Sequence, residues 1–320
     1  MKRHLIIAAI VATPLTMNAA PASAETFVRM LSGPAGGSWY PYSAKMMELV
    51  GKQIKGVSAS SGPGGGVGNA KNVDSKKAEL GWTFAQTAYD AYNGRGAFKK
   101  KAQNLRFFGN LFPGVMQVAV PANSNIKSYK DFANKRLSPG KVTFGGNVAF
   151  EKLLKLHGIT YDAVKKGGGN IHRVSYSDSV ALMKDGHIDM FAAMSTAPTS
   201  SMIALDFSPG VRFIGLDDNI VDTFVKQNPG FIKFTLAKGT YKNQKEDVKT
   251  IAAPTILITH KDVPNEIAYQ IAKVIWDNHA DLVKVNKFWA SVKLSDVMAG
   301  AAIPSHPGAM KYYREKGVVK

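Results

Sequence analysis

The chain contains no cysteine. Disulfides, thiolate nucleophiles and cysteine-ligated metals are therefore excluded, and the fold must hold by packing alone even in an oxidising compartment. Arginine is sparse, standing only at 3, 29, 95, 106, 136, 173, 212 and 314. Acidic residues are few as well: 41 Lys and Arg face 23 Asp and Glu, a formal charge of +18. After the N-terminal segment no stretch approaches 18 apolar residues, so nothing further along should cross a membrane as a helix.

Familiar catalytic patterns are missing too. Gly62-Pro63-Gly64-Gly65-Gly66-Val67 fails the dinucleotide fingerprint, because Val67 occupies the last glycine's place. Gly140-Lys141 is followed by Val142, and Lys135 stands where a phosphate loop needs its first glycine. There is no H-E-x-x-H and no G-x-S-x-G. His157, His172, His187, His260, His279 and His306 are dispersed and read as surface or packing residues. No cofactor and no metal are expected.

What is present begins with an address. Lys2, Arg3 and His4 form a basic start, Leu5 to Met17 is apolar but short, and Ala22-Ser23-Ala24 is a small-x-small cleavage site. Residues 1–24 read as a signal peptide cut after Ala24, which places the mature chain in the periplasm. Losing Lys2 and Arg3 lowers the charge by two. The remaining lysines are scattered rather than gathered in one arm, and aromatics do not interleave with them as a nucleic-acid groove requires. A basic field still concentrates an anionic small molecule.

The mature length exceeds the usual size of one core, so two domains are expected. Strand and helix signals alternate. Thr26–Ser32, Gly56–Ser60, Leu80–Phe84, Arg106–Leu111 and Val115–Val120 read as strands, with helices between the first of them. The pattern restarts with a short helix at Ser128–Ala133, a strand at Lys141–Phe144, a helix at Phe150–His157, and strands at Ile171–Val174, Met190–Met194 and Val211–Gly215. Ile256–Thr259 is a last strand; a helix then opens at Asp262 and Pro264, and Pro307 starts another that stops near Gly317. Such alternation argues for two α/β lobes with parallel sheets covered by helices.

Three turns share one design: strand, glycines, helix. They lie at Gly33–Gly37, Gly62–Gly68 and Gly145–Asn147. Ligands of α/β sheets gather at the carboxyl ends of strands, where helix N-termini offer unpaired N–H groups and partial positive charge. Ser38 and Tyr40 add hydroxyls at the first turn, Asn69 an amide at the second and Asn147 at the third. A carboxylate could be held there without arginine; the same glycines could equally do no more than make tight turns.

Gly33-Pro34-Ala35-Gly36-Gly37-Ser38-Trp39-Tyr40-Pro41 resembles the TAXI family, one class of substrate-binding proteins of TRAP transporters. Further resemblance runs through Ser177–Asp189, Gly239–Thr250 and Ile303–Val318, over nearly the whole mature chain. It implies a two-lobed periplasmic-binding-protein clamshell, class II-like with a hinge: residues 25–120 and 251–320 in lobe 1, 121–250 in lobe 2. The chain would cross near Val115–Pro121 and Ala252–Thr259. It also implies a small carboxylate ligand such as glutamate or 2-oxoglutarate, and a membrane permease driven by an ion gradient. Two departures stand out. Phe144-Gly145-Gly146-Asn147 replaces the family's G-S-G-T, and Trp82 and Phe84 give strand three an aromatic face, which either lines the cleft or packs beneath the sheet.

The leading expectation is a transport receptor rather than an enzyme, since no acid–base or metal set is present. A sensory module reporting to a membrane kinase is the alternative. The residues expected to bind ligand are Gly37, Ser38, Tyr40, Gly66, Asn69, Trp82, Gln86, Gly146, Asn147, Arg173, Ser195 and Thr196.

Overall fold

The computed structural model describes residues 25–320; the expected leader and its cleavage site lie outside them. Among the described residues no helix is long and apolar enough to cross a membrane.

The first block alternates β1 (Thr26–Leu31), α1 (Trp39–Gln53), β2 (Val57–Gly62), α2 (Gly66–Asp74), β3 (Leu80–Phe84) and α3 (Ala85–Asn93), and ends in the long β4 (Leu105–Pro121). The second runs β5 (Arg136–Ser138), α4 (Gly145–Leu156), α5 (Tyr161–Lys166), β6 (Asn170–Ile171), α6 (Tyr176–Lys184), β7 (Met190–Ser195), α7 (Ser200–Phe207), β8 (Val211–Phe213), α8 (Asp218–Gln227) and β9 (Ile232–Leu236). A second long strand, β10 (Val248–His260), leads to α9 (Asn265–Asp277), α10 (His279–Val285) and α11 (Pro307–Glu315).

All ten strands join one sheet, in the order β2-β1-β3-β10-β4-β7-β5-β6, with β8 on β4 and β9 on β10. Its outer pairs are parallel, as the alternation predicts: β1 with β2 and β3, β5 with β6 and β7. The centre is not. β10 runs antiparallel to β3, β4 and β9, and β4 antiparallel to β7 and β8. Two strands that pass directly from one half of the sheet to the other need no crossover helix, so the sheet is mixed rather than parallel.

Those two strands also correct the sequence reading. Arg106–Leu111 and Val115–Val120 are not separate strands but parts of β4, which continues through Pro113. Pro113 faces Pro254 of β10. Neither has an N–H, so the missing donors fall on one rung of the ladder, and a register shift follows between Thr255 and Ile256. On one side of this rung β10 pairs with β3; on the other it pairs with β9. The expected strand at Lys141–Phe144 is a turn instead. Gly140 has φ +86° and the Phe144 N–H donates to Lys141 O at 2.9 Å, while Arg136–Ser138 takes the strand position.

Trp39, Tyr42, Trp82, Phe112 and Trp289 pack as one aromatic cluster, with Tyr42 and Trp289 rings 4.7 Å apart and Trp39 stacked on Trp82 at 5.8 Å. The cluster holds α1 and the C-terminal segment on the β1–β3 half. Tyr313 in α11 donates to Phe108 O at 2.7 Å and adds a polar tie to β4. Burying rings of this size is the main source of stability there.

Candidate functional site

Five helices begin around one cavity between the two halves of the sheet. Ser38 and Trp39 start α1, Gly65 and Gly66 start α2, Phe84 precedes α3, Phe144, Gly145 and Gly146 start α4, and Tyr176 starts α6; Met194 and Ser195 complete the wall. A sixth helix, α7, starts just behind, where Thr199 Oγ1 meets Ser195 Oγ at 3.3 Å. The halves interlock here. Phe144 lies against Gly65, and Phe84 lies so close to Gly145 that a Cβ there would be 2.8 Å from its ring. Ser38 Oγ and Ser195 Oγ are 3.0 Å apart, the Ser38 N–H donates to Ser195 Oγ at 3.2 Å, and the Val67 N–H donates to Thr143 O at 3.1 Å. The space left at the centre is about 20 Å³, room for a water or two.

The electrostatics of this place are set by what is missing from it. None of the lining residues carries a charge. Five of the helices that begin here, α1, α2, α3, α4 and α7, have no acidic residue in the first turn and no side-chain cap on the first amides. The other α-helices among the described residues, α6 included, have one or the other. Acids stand in the first turns of α5, α6, α8, α9 and α10, and His306 caps α11. Uncapped N-termini keep their partial positive charge and their orphan N–H groups, except at α2, where the Val67 and Gly68 N–H groups donate to Thr143 O across the halves. The side chains add donors. Trp39 Nε1 is buried without a partner. Tyr176 Oη accepts from the Met194 N–H at 3.1 Å, and burial pushes its pKa up to about 12, so the phenol stays protonated and has a proton to give. A cavity rich in donors and free of charge suits the oxyanion of a small molecule.

Of the residues expected from sequence, Gly37, Ser38, Gly66, Gly146 and Ser195 meet in the lining. The others stand elsewhere. Asn69 is a clamp: its Oδ1 accepts from the Gly65 N–H at 3.0 Å and its Nδ2 donates to Ser32 O and Trp82 O, both at 2.7 Å. Trp82 is fully buried beneath Trp39 and donates to Met30 Sδ, whereas Phe84 on the same strand reaches the cavity. The aromatic face therefore divides, one ring packing and one lining. Asn147 sits behind Gly146, where its Oδ1 accepts from Tyr161 Oη at 3.0 Å and from Arg173 at 3.3 Å. Arg173 lies over the Tyr161 ring rather than in the cavity. Thr196 is buried and its N–H reaches Ser38 Oγ at 3.5 Å; Tyr40 is exposed on α1. Gln86 lines a different cavity. Trp39, Phe144 and Tyr176 were missed, since each reads as a core aromatic. The absence of acids from the first turns was a legible signal for α1 and α4, at whose starts Trp39 and Phe144 stand, but not for Tyr176, which opens α6 with Asp178 in its first turn.

A model of the NMT1-like family matches residues 30–317. The chain belongs to the NMT1-like family. Among solved structures, this NMT1-like chain is similar to the periplasmic binding protein BugD at 13% identity, covering 92% of this chain and 94% of that one, with a TM-score of 0.55. A periplasmic transporter structure matches at 14% identity over 94% and 95%, TM-score 0.52. The alkanesulfonate-binding protein SsuA from Xanthomonas axonopodis pv. citri, bound to MOPS, matches at 12% identity over 90% and 83%, TM-score 0.48. The fold is the two-lobed α/β fold of periplasmic binding proteins.

Proposed function

We propose that the protein is an exported receptor that captures a small organic acid between its halves and hands it to a membrane permease. The observation that carries this reading is the convergence of uncapped, acid-free helix N-termini on one uncharged, donor-rich cavity. The carboxylate would accept from amides of α1 and α4 and from that of Gly66 in α2, from Ser38 and Ser195, and from Trp39 Nε1 and Tyr176 Oη. The aromatic rings of Trp39, Phe84 and Phe144 would cover the rest of the ligand. The basic leader before Ala24 supports periplasmic location, as does the naming of BugD as a periplasmic binding protein. The resemblance at 33–41, 177–189, 239–250 and 303–318 supports a TRAP-type, ion-gradient-driven permease as the partner.

An organic acid does not fit in about 20 Å³, so its entry requires the halves to part. The rung of Pro113 and Pro254 is where that motion costs least, because no N–H is lost there. On this reading lobe 1 comprises residues 25–120 and 251–320, lobe 2 residues 121–250, and the ligand shifts the pair toward the closed arrangement. Capture needs no bond to be made or broken, and the receptor is not an enzyme.

The test is a melting-temperature screen of purified protein against mono- and dicarboxylates, amino acids and aromatic acids. A ligand at 100 times its Kd adds about 2.7 kcal/mol, a shift of several degrees. A shift confined to one acid class names the substrate. No shift with any acid, together with no small molecule released on denaturation, would sink the proposal.

A further inference from the structure

A second cavity shares no lining residue with the first: Phe84 lines one, and its neighbour Ala85 lines the other. It measures about 540 Å³, within the roughly 300–1,000 Å³ typical of small-molecule sites. Both halves build it. Helix α3 and the turn after it supply Tyr89, Asp90 and Arg95; α4 supplies Lys152, and the turn after α8 supplies Asn228.

Its chemistry differs from the first. The Arg95 guanidinium lies 5.4 Å from the Tyr89 ring centroid and donates to Tyr89 Oη at 3.4 Å. Lys152 Nζ donates to the neutral Asn228 Oδ1 at 2.8 Å. Among the described residues neither cation is within ion-pair distance of a carboxylate. Asp90, the one acid in the lining, is held by Gln86 Nε2 at 2.9 Å. Two cations thus face one carboxylate across a wall that is otherwise uncharged, with Pro229 and Pro254 among its apolar members.

We propose that this cavity is a second ligand site, which takes a small organic anion with a flat apolar body. Arg95 and Lys152 receive the oxyanion, and Tyr89 with the two prolines covers the body. A guanidinium already held against an aromatic ring is pre-ordered for a planar partner. The assignment is independent of what the first cavity binds.

The probe is 8-anilinonaphthalene-1-sulfonate, an aromatic sulfonate, titrated by fluorescence into the folded protein. One saturable equivalent is expected. The double substitution Arg95→Gln with Lys152→Gln should weaken it at least tenfold. Ala302→Trp, which keeps both charges and fills the cavity from its exposed rim, should do the same. Unchanged melting temperatures in all three proteins separate these losses from misfolding. Failure of the probe to saturate, or wild-type affinity in either variant, overturns the site.

Discussion

Helices α4 and α6 belong to the same half and begin in opposite ways. Helix α6 opens with a capping box: Ser175 Oγ accepts from the Asp178 N–H at 3.2 Å, and Asp178 Oδ2 accepts from the Ser175 N–H at 3.2 Å. Helix α4 opens with Phe144-Gly145-Gly146, where no side chain reaches the first amides and no acid stands in the first turn. A cap is worth about 1 kcal/mol, so omitting one at five helices that begin at one place is a cost to stability. At α6, whose first residue Tyr176 also lines the cavity, and at the helices away from it, the chain supplies the missing charge itself; at these five it leaves that charge for something else to supply.

The sharpest way to break the contrast is to give α4 the acid it lacks. A Cβ at Gly146 would lie 2.9 Å from Met194 Cβ, so any side chain there intrudes on the cavity. Gly146→Asn tests that intrusion alone, and Gly146→Asp adds a negative charge at the helix N-terminus. We expect the aspartate to weaken the acid identified by the melting screen at least 100-fold in calorimetry, and the asparagine about tenfold less severely. Equal losses would mean that only space matters and that the N-terminal charge does not act on the ligand.

Next in size is Ser38→Ala. It removes the hydroxyl 3.0 Å from Ser195 Oγ and the acceptor of the Thr196 N–H. One hydrogen bond is worth about 0.5–1.5 kcal/mol net, so affinity should fall about tenfold while the melting temperature of the free protein moves little. Thr160→Ala is the counterpart on a capped helix, where Thr160 Oγ1 accepts from the Ala163 N–H at 3.1 Å. It should cost about 1 kcal/mol in denaturant unfolding and leave ligand affinity unchanged. If Thr160→Ala weakened binding as much as Ser38→Ala, the division between the two kinds of helix start would have no functional meaning.

The same division explains what was legible in the sequence. Glycine turns between a strand and an amphipathic helix are local signals, and Gly33–Gly37 and the start of Gly62–Gly68 are such turns; Gly145–Asn147 is instead the first turn of α4, with no strand directly before it. The strands read at Arg106–Leu111, Val115–Val120 and Ile256–Thr259 fell short of β4 and β10, which run on through Pro113 and Pro254; that two prolines can face each other across a ladder is not visible until the partner strand is known. Lys141–Phe144 misled in another way: Val142 and Thr143 favour a strand, but Gly140 at φ +86° turns the chain first. Asn69 and Asn147 sit where a ligand-binding amide would be expected, yet tertiary contacts claim both side chains. No spacing rule reports which acceptor wins.

The smallest expected effect uses α11, whose cap is a histidine. His306 is fully buried at the start of α11; its Nδ1 accepts from the Gly308 N–H at 3.2 Å, and its Nε2 donates to Val263 O at 3.0 Å. That pattern requires the neutral ring, and burial holds its pKa below the ordinary histidine value. The unfolded chain therefore binds the proton more readily than the folded one. Stability should hold above about pH 6.5 and decline as pH falls below it. Burial depresses His260 as well, with the same sign. His306→Asn keeps a capping side chain that does not titrate, so it should cost stability at neutral pH but flatten the decline, leaving the part owed to His260. Parallel stability curves for the two proteins between pH 7 and 5 would show that His306 takes up its proton as readily in the folded chain as in the unfolded one.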